Sequence, residues 1–365
     1  MAWYNASWNY RVKITIDATK VDADLTDFPV YVDLSGLPAG FHTNVNQTDA
    51  RDIRVTKTDE TTEVPREIVF YNAATDTGEL HFKADGVLSG TNNTDYYIYY
   101  GNVAASDYAV DDTYGSQNVW TNGYSRVYHL QQGGTIVAGS YLDSTSSAVA
   151  GTGYNDVSTN ASSKINTGTT FDGTGDYIDI ISNPITTTNP FTLSAWINTD
   201  VVNKYSGAIA IGPSGTNLSA YIGTVATAQV GTSNSLGGGF YGANYGTGVT
   251  TTGAWKHLAM TFAGGSNGAV NVYVDGVSLV NTTRTPNLSG TAAKIGRIGT
   301  DTTYDFDGSI DEARISSDDR AGEWISTEYN NQNSPATFYN VGEEEPQPSS
   351  GGVIINPLWI RSLRP

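Results

Sequence analysis

Residues 191–197 read FTLSAWI, and their alternation leaves the chain little choice of conformation. Phe191, Leu193, Ala195 and Ile197 fall on one side of an extended strand, and Thr192, Ser194 and Trp196 on the other. Side chains that alternate with a period of two belong to strands. The same period recurs along the chain. RVKITID (11–17) sets Val12, Ile14 and Ile16 against Arg11, Lys13 and Thr15, and FPVYVDLS (28–35), EVPREIVFYN (63–72), GELHFKAD (78–85) and DYYIYYGN (95–102) read as further strands. Turn residues separate them at short intervals, and long apolar helical stripes are absent. The pattern predicts an all-β protein.

The chain has 365 residues, which is too long for one small sandwich and predicts two in tandem. Residues 1–103 form the first. Residues 104–124, rich in Asp, Gly and Asn, read as a linker. VYHL (127–130) begins a second sandwich that spans 125–342. Within it, 131–169 is a long polar insertion, either a functional loop or loosely ordered. Ala321, Trp324, Ile325 and Tyr329 make the stripe of one short C-terminal helix, with Pro335 beyond its end. EEEPQPSSGG, from 343, has the composition of a flexible spacer. After it, Ile354, Ile355, Leu358, Trp359 and Ile360 make an apolar tail, which is expected to dock on another chain.

There is no cysteine, so disulfides and thiolate metal sites are excluded. The net charge is −18, with no basic stripe for nucleic acid. No stretch reaches the length of a membrane span, and residues 1–20 show no apolar leader.

The order of four motifs carries a family resemblance. FDGTGDYIDI (171–180), FTLSAWI, WKHLAMTF (255–262) and VNVYVDGVSLV (270–280), followed by DGSIDEARIS (307–316), resemble the concanavalin A-like lectin/glucanase superfamily in its laminin-G-like branch. The resemblance covers roughly 125–342 and implies a jelly-roll sandwich. Residues 1–103, with the WNYR start, LTDFPV, DIRV and the YYIYYGN ending, resemble an uncharacterised sandwich family common in phage and bacterial surface proteins. That family supplies context and no chemistry.

These residues offer three chemistries. Glucanases of this fold use closely spaced carboxylates. No Glu-x-Asp-x-Glu occurs here, and Asp305 and Asp307 lie in a turn, so no catalytic residue is expected and the protein is read as not an enzyme. The four histidines, His42, His81, His129 and His257, are scattered, and His257, within WKHLAMTF, is expected to be structural. Two Gly-flanked acidic turns, Asp172-Gly173 with Asp176 and Asp307-Gly308 with Asp311, either bond their own backbone or hold a cation. The resemblance implies a structural Ca2+ on Asp172, Asp176, Asp307 and Asp311. Tyr221, Phe240, Tyr241, Asn244 and Tyr245 lie in a Gly-rich stretch. They are the candidates for carbohydrate binding, because sugar rings stack on aromatic faces and their hydroxyls bond to amides.

These readings together predict a non-catalytic, lectin-like adhesion or decoration protein of a phage virion. A purely structural virion or surface-layer role is the alternative, and a glycan hydrolase comes third. The expected partners are cell-surface glycans and, through the tail, other chains of the assembly, including further copies of this one. Nucleic acid and membrane insertion are not expected. The expected location is the virion, or else a cell surface or the medium.

Overall fold

A computed structural model gives the structure of this chain and describes residues 2–46, 48–132, 139–160, 162–226, 234–290, 293–300 and 302–348. The N-terminal sandwich contains β1 (Tyr10–Ile16), β2 (Leu25–Asp33), β3 (Arg54–Thr56), β4 (Glu63–Val64), β5 (Arg66–Asn72), β6 (Thr77–Leu88) and β7 (Thr94–Tyr100), with a short helix, α1 (Ala39–Asn44). One sheet runs β2-β6-β5; in the other, β1-β7-β3-β4 are neighbours. Alternation decides what faces inward. Val12, Ile14 and Ile16 of β1 meet Tyr96, Ile98 and Tyr100 of β7 in the core. Tyr97 and Tyr99 point outward and pack with Trp8. Arg11 lies over the Tyr97 ring at 4.4 Å and donates to the Tyr99 hydroxyl at 2.8 Å.

The second sandwich is built from β8 (Tyr124–Tyr128), β9 (Thr152–Tyr154), β10 (Ser158–Asn160), β11 (Gly168–Asp172), β12 (Tyr177–Ile180), β13 (Phe191–Thr199), β14 (Ser206–Ile211), β15 (Ala220–Val225) and β16 (Ser235–Phe240). It continues with β17 (Ala243–Gly246), β18 (Lys256–Phe262), β19 (Gly268–Val274), β20 (Val277–Arg284), β21 (Ala293–Ile295) and β22 (Asp307–Ser316). One sheet has the order β10-β11-β22-β13-β18-β19-β20, with β8 also on β22; the other is β17-β16-β15-β14-β21-β12-β9. Phe191, Leu193, Ala195 and Ile197 enter the core between these sheets, as their period requires. The polar insertion is part of the fold: it supplies β9 and β10, and Tyr141, Val157 and Ile165 are buried.

After β22 come α2 (Gly322–Asn333), α3 (Pro335–Phe338) and β23 (Tyr339–Pro346). Helix α2 lies between the two sandwiches. Trp324 packs edge-on against Phe28 of β2 with ring centroids 5.1 Å apart. Its neighbour on the other side is the outer face of β13 and β18. There Ser194 donates to Glu328 at 3.1 Å and Trp196 donates to Gln332 at 2.5 Å. Asn331 accepts from the Tyr31 backbone N–H at 2.7 Å and donates to its carbonyl at 2.9 Å. One amide side chain thus completes the backbone pairing of an edge strand.

The first four residues of the spacer read from 343 are corrected: they belong to β23, which crosses back and pairs antiparallel with β1, from Tyr10 opposite Pro346 to Ile16 opposite Tyr339, while 349–352 lie outside the described residues. Its glutamates are held there by specific partners. Arg11 pairs with Glu345 at 2.8 Å, and the Tyr100 hydroxyl donates to Glu344 at 2.6 Å. The stretch read as a linker at 104–124 is also packed, with Trp120 buried. The tail residues Ile354, Ile355, Leu358, Trp359 and Ile360 lie outside the described residues. No described helix is long and apolar enough to cross a membrane.

Candidate functional site

The five residues proposed for sugar contact separate into two kinds. Phe240 sits in the main core beside Phe191 and Phe262, so it offers no face to a ligand. Tyr221 points to the other side of the same sheet but is fully covered, with Tyr205 edge-on at 5.1 Å. Its hydroxyl donates to Asn244 at 2.9 Å. Burial therefore removes Phe240 and Tyr221 as stacking platforms. Tyr241, Asn244 and Tyr245 are half-buried. The Tyr241 and Tyr304 hydroxyls meet at 3.2 Å, and Tyr245 packs against the main core. The glycines beside these tyrosines are fixed by the sheet itself. A Cβ on Gly237 would lie 2.2 Å from the Tyr245 carbonyl oxygen.

An aromatic pair that the sequence did not single out lies at the other end of this sheet. Tyr154 of β9 and Tyr177 of β12 stand opposite each other in register, and their rings stack at 4.7 Å with planes 5° apart. The Lys294 ammonium and the Arg297 guanidinium lie 4.1 and 4.0 Å from the Tyr177 ring centre. Lys294 also pairs with Asp179 at 2.8 Å. Tyr154 remains 37% exposed. The result is a supported aromatic surface framed by charged groups.

The four aspartates proposed for calcium do not converge on one point. Asp176 spends its oxygens on the backbone N–H groups of Asp172 and Asp156, at 3.0 and 3.1 Å. Asp311 is buried and accepts from Ile165 N at 2.8 Å and Glu312 N at 2.9 Å. Burial, followed by the neighbouring Glu312 charge, pushes its carboxyl well above the usual range. Asp172 and Asp307 do stand opposite each other on β11 and β22. Among the described residues, however, no three of these four converge as a ligand group.

The densest collection of ionisable groups lies between the sandwiches. Strand β6 turns Leu80 and Phe82 into its own core and presents Glu79 and His81 on the opposite face. His129, just beyond β8, and Glu312, on β22, come from the second sandwich. The β13–β22 register passes from Ser194 opposite Arg314 to Trp196 opposite Asp311. Glu312 and Ala313 therefore stand against Ala195 alone, which is a β-bulge. Glu312 takes the left-handed φ of 52°, an uncommon conformation for a non-glycine residue. The bulge keeps Ile310, Ala313 and Ile315 in the core and sends Glu312 to the interface.

His129 Nδ1 lies 2.5 Å from Glu312 and 3.2 Å from Glu79, and its Nε2 lies 3.4 Å from Glu67. His81 Nε2 is 3.0 Å from Glu79. Arg314 pairs with Glu312 at 2.5 Å and Glu328 at 3.4 Å. Burial opposes charge on His129, yet Glu312 and Glu67 outweigh it and raise the imidazole well above its ordinary range. Burial likewise opposes charge on Glu312, but His129 and Arg314 hold the carboxyl below its usual range. A cleft of about 250 Å³ reaches this cluster past Glu67, His129, Asp143 and Ser144. The histidines expected to be scattered thus include a pair, His81 and His129, with rings 4.9 Å apart. The available signal was GELHF, where a carboxylate and an imidazole share one strand face.

Residues 172–326 match the family described as concanavalin A-like lectin/glucanases superfamily. No curated protein matches the chain significantly. Among solved structures, domain 4 of AbnA, an extracellular arabinanase of Geobacillus stearothermophilus determined in complex with arabinotriose, is similar at 20% identity and a TM-score of 0.45, over 57% of this chain and 98% of that one. The heptameric SAP-like pentraxin of Limulus polyphemus is similar at 14% identity and a TM-score of 0.33, over 43% of this chain and 78% of that one. A candidate carbohydrate binding protein of Bacteroides ovatus is similar at 15% identity and a TM-score of 0.37, over 89% of this chain and 81% of that one. Residues 172–326, which run through β12 to β22 of the second sandwich into the start of α2, carry a concanavalin A-like lectin/glucanase superfamily domain.

Proposed function

We propose that this chain is a non-catalytic carbohydrate-binding protein, and that the sheet carrying β9 and β12 is its glycan face. The observation that carries this reading is the stacked pair Tyr154–Tyr177. Its outer ring is exposed, while its inner ring is backed by Lys294 and Arg297. A sugar ring stacks on such a surface through its C–H face, and Asp179 and Lys294 supply hydrogen bonds for hydroxyls. The fold of residues 172–326 supports the same reading. On the opposite sheet, the outer faces of β13 and β22 are closed to a ligand, because α2 and the N-terminal sandwich pack on them. Display on a virion or another extracellular surface belongs to this proposal and rests on the resemblance of the tandem sandwiches.

A glycan array with the full chain tests the reading, alongside Tyr154→Ala and Tyr241→Ala. Binding of a defined glycan set, lost in Tyr154→Ala while the fold is kept, is the expected result. No binding to any glycan, with the protein folded, would favour a purely structural role. Release of reducing sugar from a bound glycan would overturn the non-catalytic assignment.

A further inference from the structure

We propose that Glu79, His81, His129 and Glu312 form a binding site for a divalent transition-metal ion of the zinc class, which ties the two sandwiches together. Each residue contributes one ligand atom, and all four atoms lie within 4.8 Å of one another. Two ligands come from β6 of the first sandwich and two from the second, so an ion here would bridge elements far apart in sequence.

The distances fit such an ion. Ligands about 2.0–2.1 Å from a tetrahedral zinc lie roughly 3.3 Å from each other. Here His129 Nδ1 is 3.2 Å from Glu79 Oε1, and His81 Nε2 is 3.0 Å from the same oxygen. His129 Nδ1 and Glu312 Oε1 are closer, at 2.5 Å. Two carboxylates thus converge on one ring nitrogen, which carries at most one proton, while Glu79 Oε1 also faces a second imidazole. A dipositive ion balances two carboxylates and two neutral imidazoles, and it satisfies all four atoms together.

An independent observation is the use of the atoms that point away from this centre. Glu312 directs Oε2 to Arg314, and Glu79 directs Oε2 to Gln131. His129 turns Nε2 towards Glu67 Oε2 at 3.4 Å. Glu67 is itself fixed by Trp120 Nε1 at 2.5 Å and Ser144 Oγ at 2.7 Å. Metal-binding histidines ordinarily place a carboxylate on the nitrogen that does not bind the metal, which orients the ring; His129 follows this arrangement, and His81, whose Nδ1 has no partner among the described residues, does not. All four proposed ligands are buried, and the cleft beside Glu67 and His129 offers a path of entry. Two nitrogens and two oxygens select zinc or its transition-metal neighbours over calcium, which takes six to eight oxygens.

The test uses the full chain, stripped with a chelator and titrated with Zn2+ by calorimetry, with Ca2+ as the control. We expect one zinc per chain and a melting temperature that rises by several degrees with zinc and is unmoved by calcium. His81→Gln and Glu312→Gln should weaken zinc binding by roughly tenfold or more. Absence of zinc binding by the stripped wild type, or unchanged affinity in folded variants, would overturn the proposal. Should both variants fail to fold, Co2+ bound to the wild type decides. Intense tetrahedral d–d absorption supports the site, and a weak octahedral spectrum contradicts it.

Discussion

The two outer faces of the lectin-like sandwich follow the same alternating pattern and meet opposite fates. On one sheet, Ser194, Trp196, His257, Glu312 and Arg314 turn away from the core, and all are buried under α2 or the N-terminal sandwich. At the β9–β12 end of the other sheet, Tyr177, Asp179 and Lys294 turn away from the core and stay half-buried, although Tyr221 farther along the same face is covered by Tyr205. A polar face is therefore not necessarily a wet one. Buried ions on the covered face need complete sets of partners, whereas the tyrosines on the other face need only backing.

The largest effect should come from breaking the covered face. Arg314 is the cation between Glu312 and Glu328. Arg314→Ala leaves both carboxylates buried without it and is expected to cost roughly 3–5 kcal/mol, measured by urea unfolding. Asn331→Ala should cost less, about 1–3 kcal/mol, because it orphans the backbone N–H and carbonyl of Tyr31.

Acid should act on the same face. Burial would raise the Glu328 carboxyl, but Arg314 and His257 prevail and hold it at about 2 against the ordinary 4.5. A depressed carboxyl stabilises the fold above its unfolded value, and this contribution is lost as pH falls from 4.5 towards 2. Stability should therefore decline across that window, and the decline should be shallower in Glu328→Gln, as read from urea midpoints at stepped pH. The smallest stability effect belongs to the other face: Tyr154→Ala should stay within about 0.5 kcal/mol while abolishing glycan binding.

Much of the fold was legible in the sequence. FTLSAWI, RVKITID and DYYIYY assign their own faces, because one face of each must be buried. The Trp324–Tyr329 stripe marked α2, although it begins at Gly322 without a side-chain cap. The glutamates of β23 were read as a spacer because composition carries no trace of Arg11, Tyr100 and Asn44, which hold them. Phe240 and Tyr221 looked like loop aromatics among glycines, yet those glycines lie within paired strands. The His–Glu cluster was the hardest to foresee. Its members are distant in sequence, and Glu312 reaches it only through a bulge that breaks the strand's parity.

The central claim is that the two sandwiches form one body, joined through α2, β23 and the buried His–Glu cluster. Differential scanning calorimetry of the full chain tests it most directly. A single transition, with calorimetric and van't Hoff enthalpies in agreement, is the predicted result. Two separable transitions, one for each sandwich and both unmoved by Arg314→Ala, would contradict it.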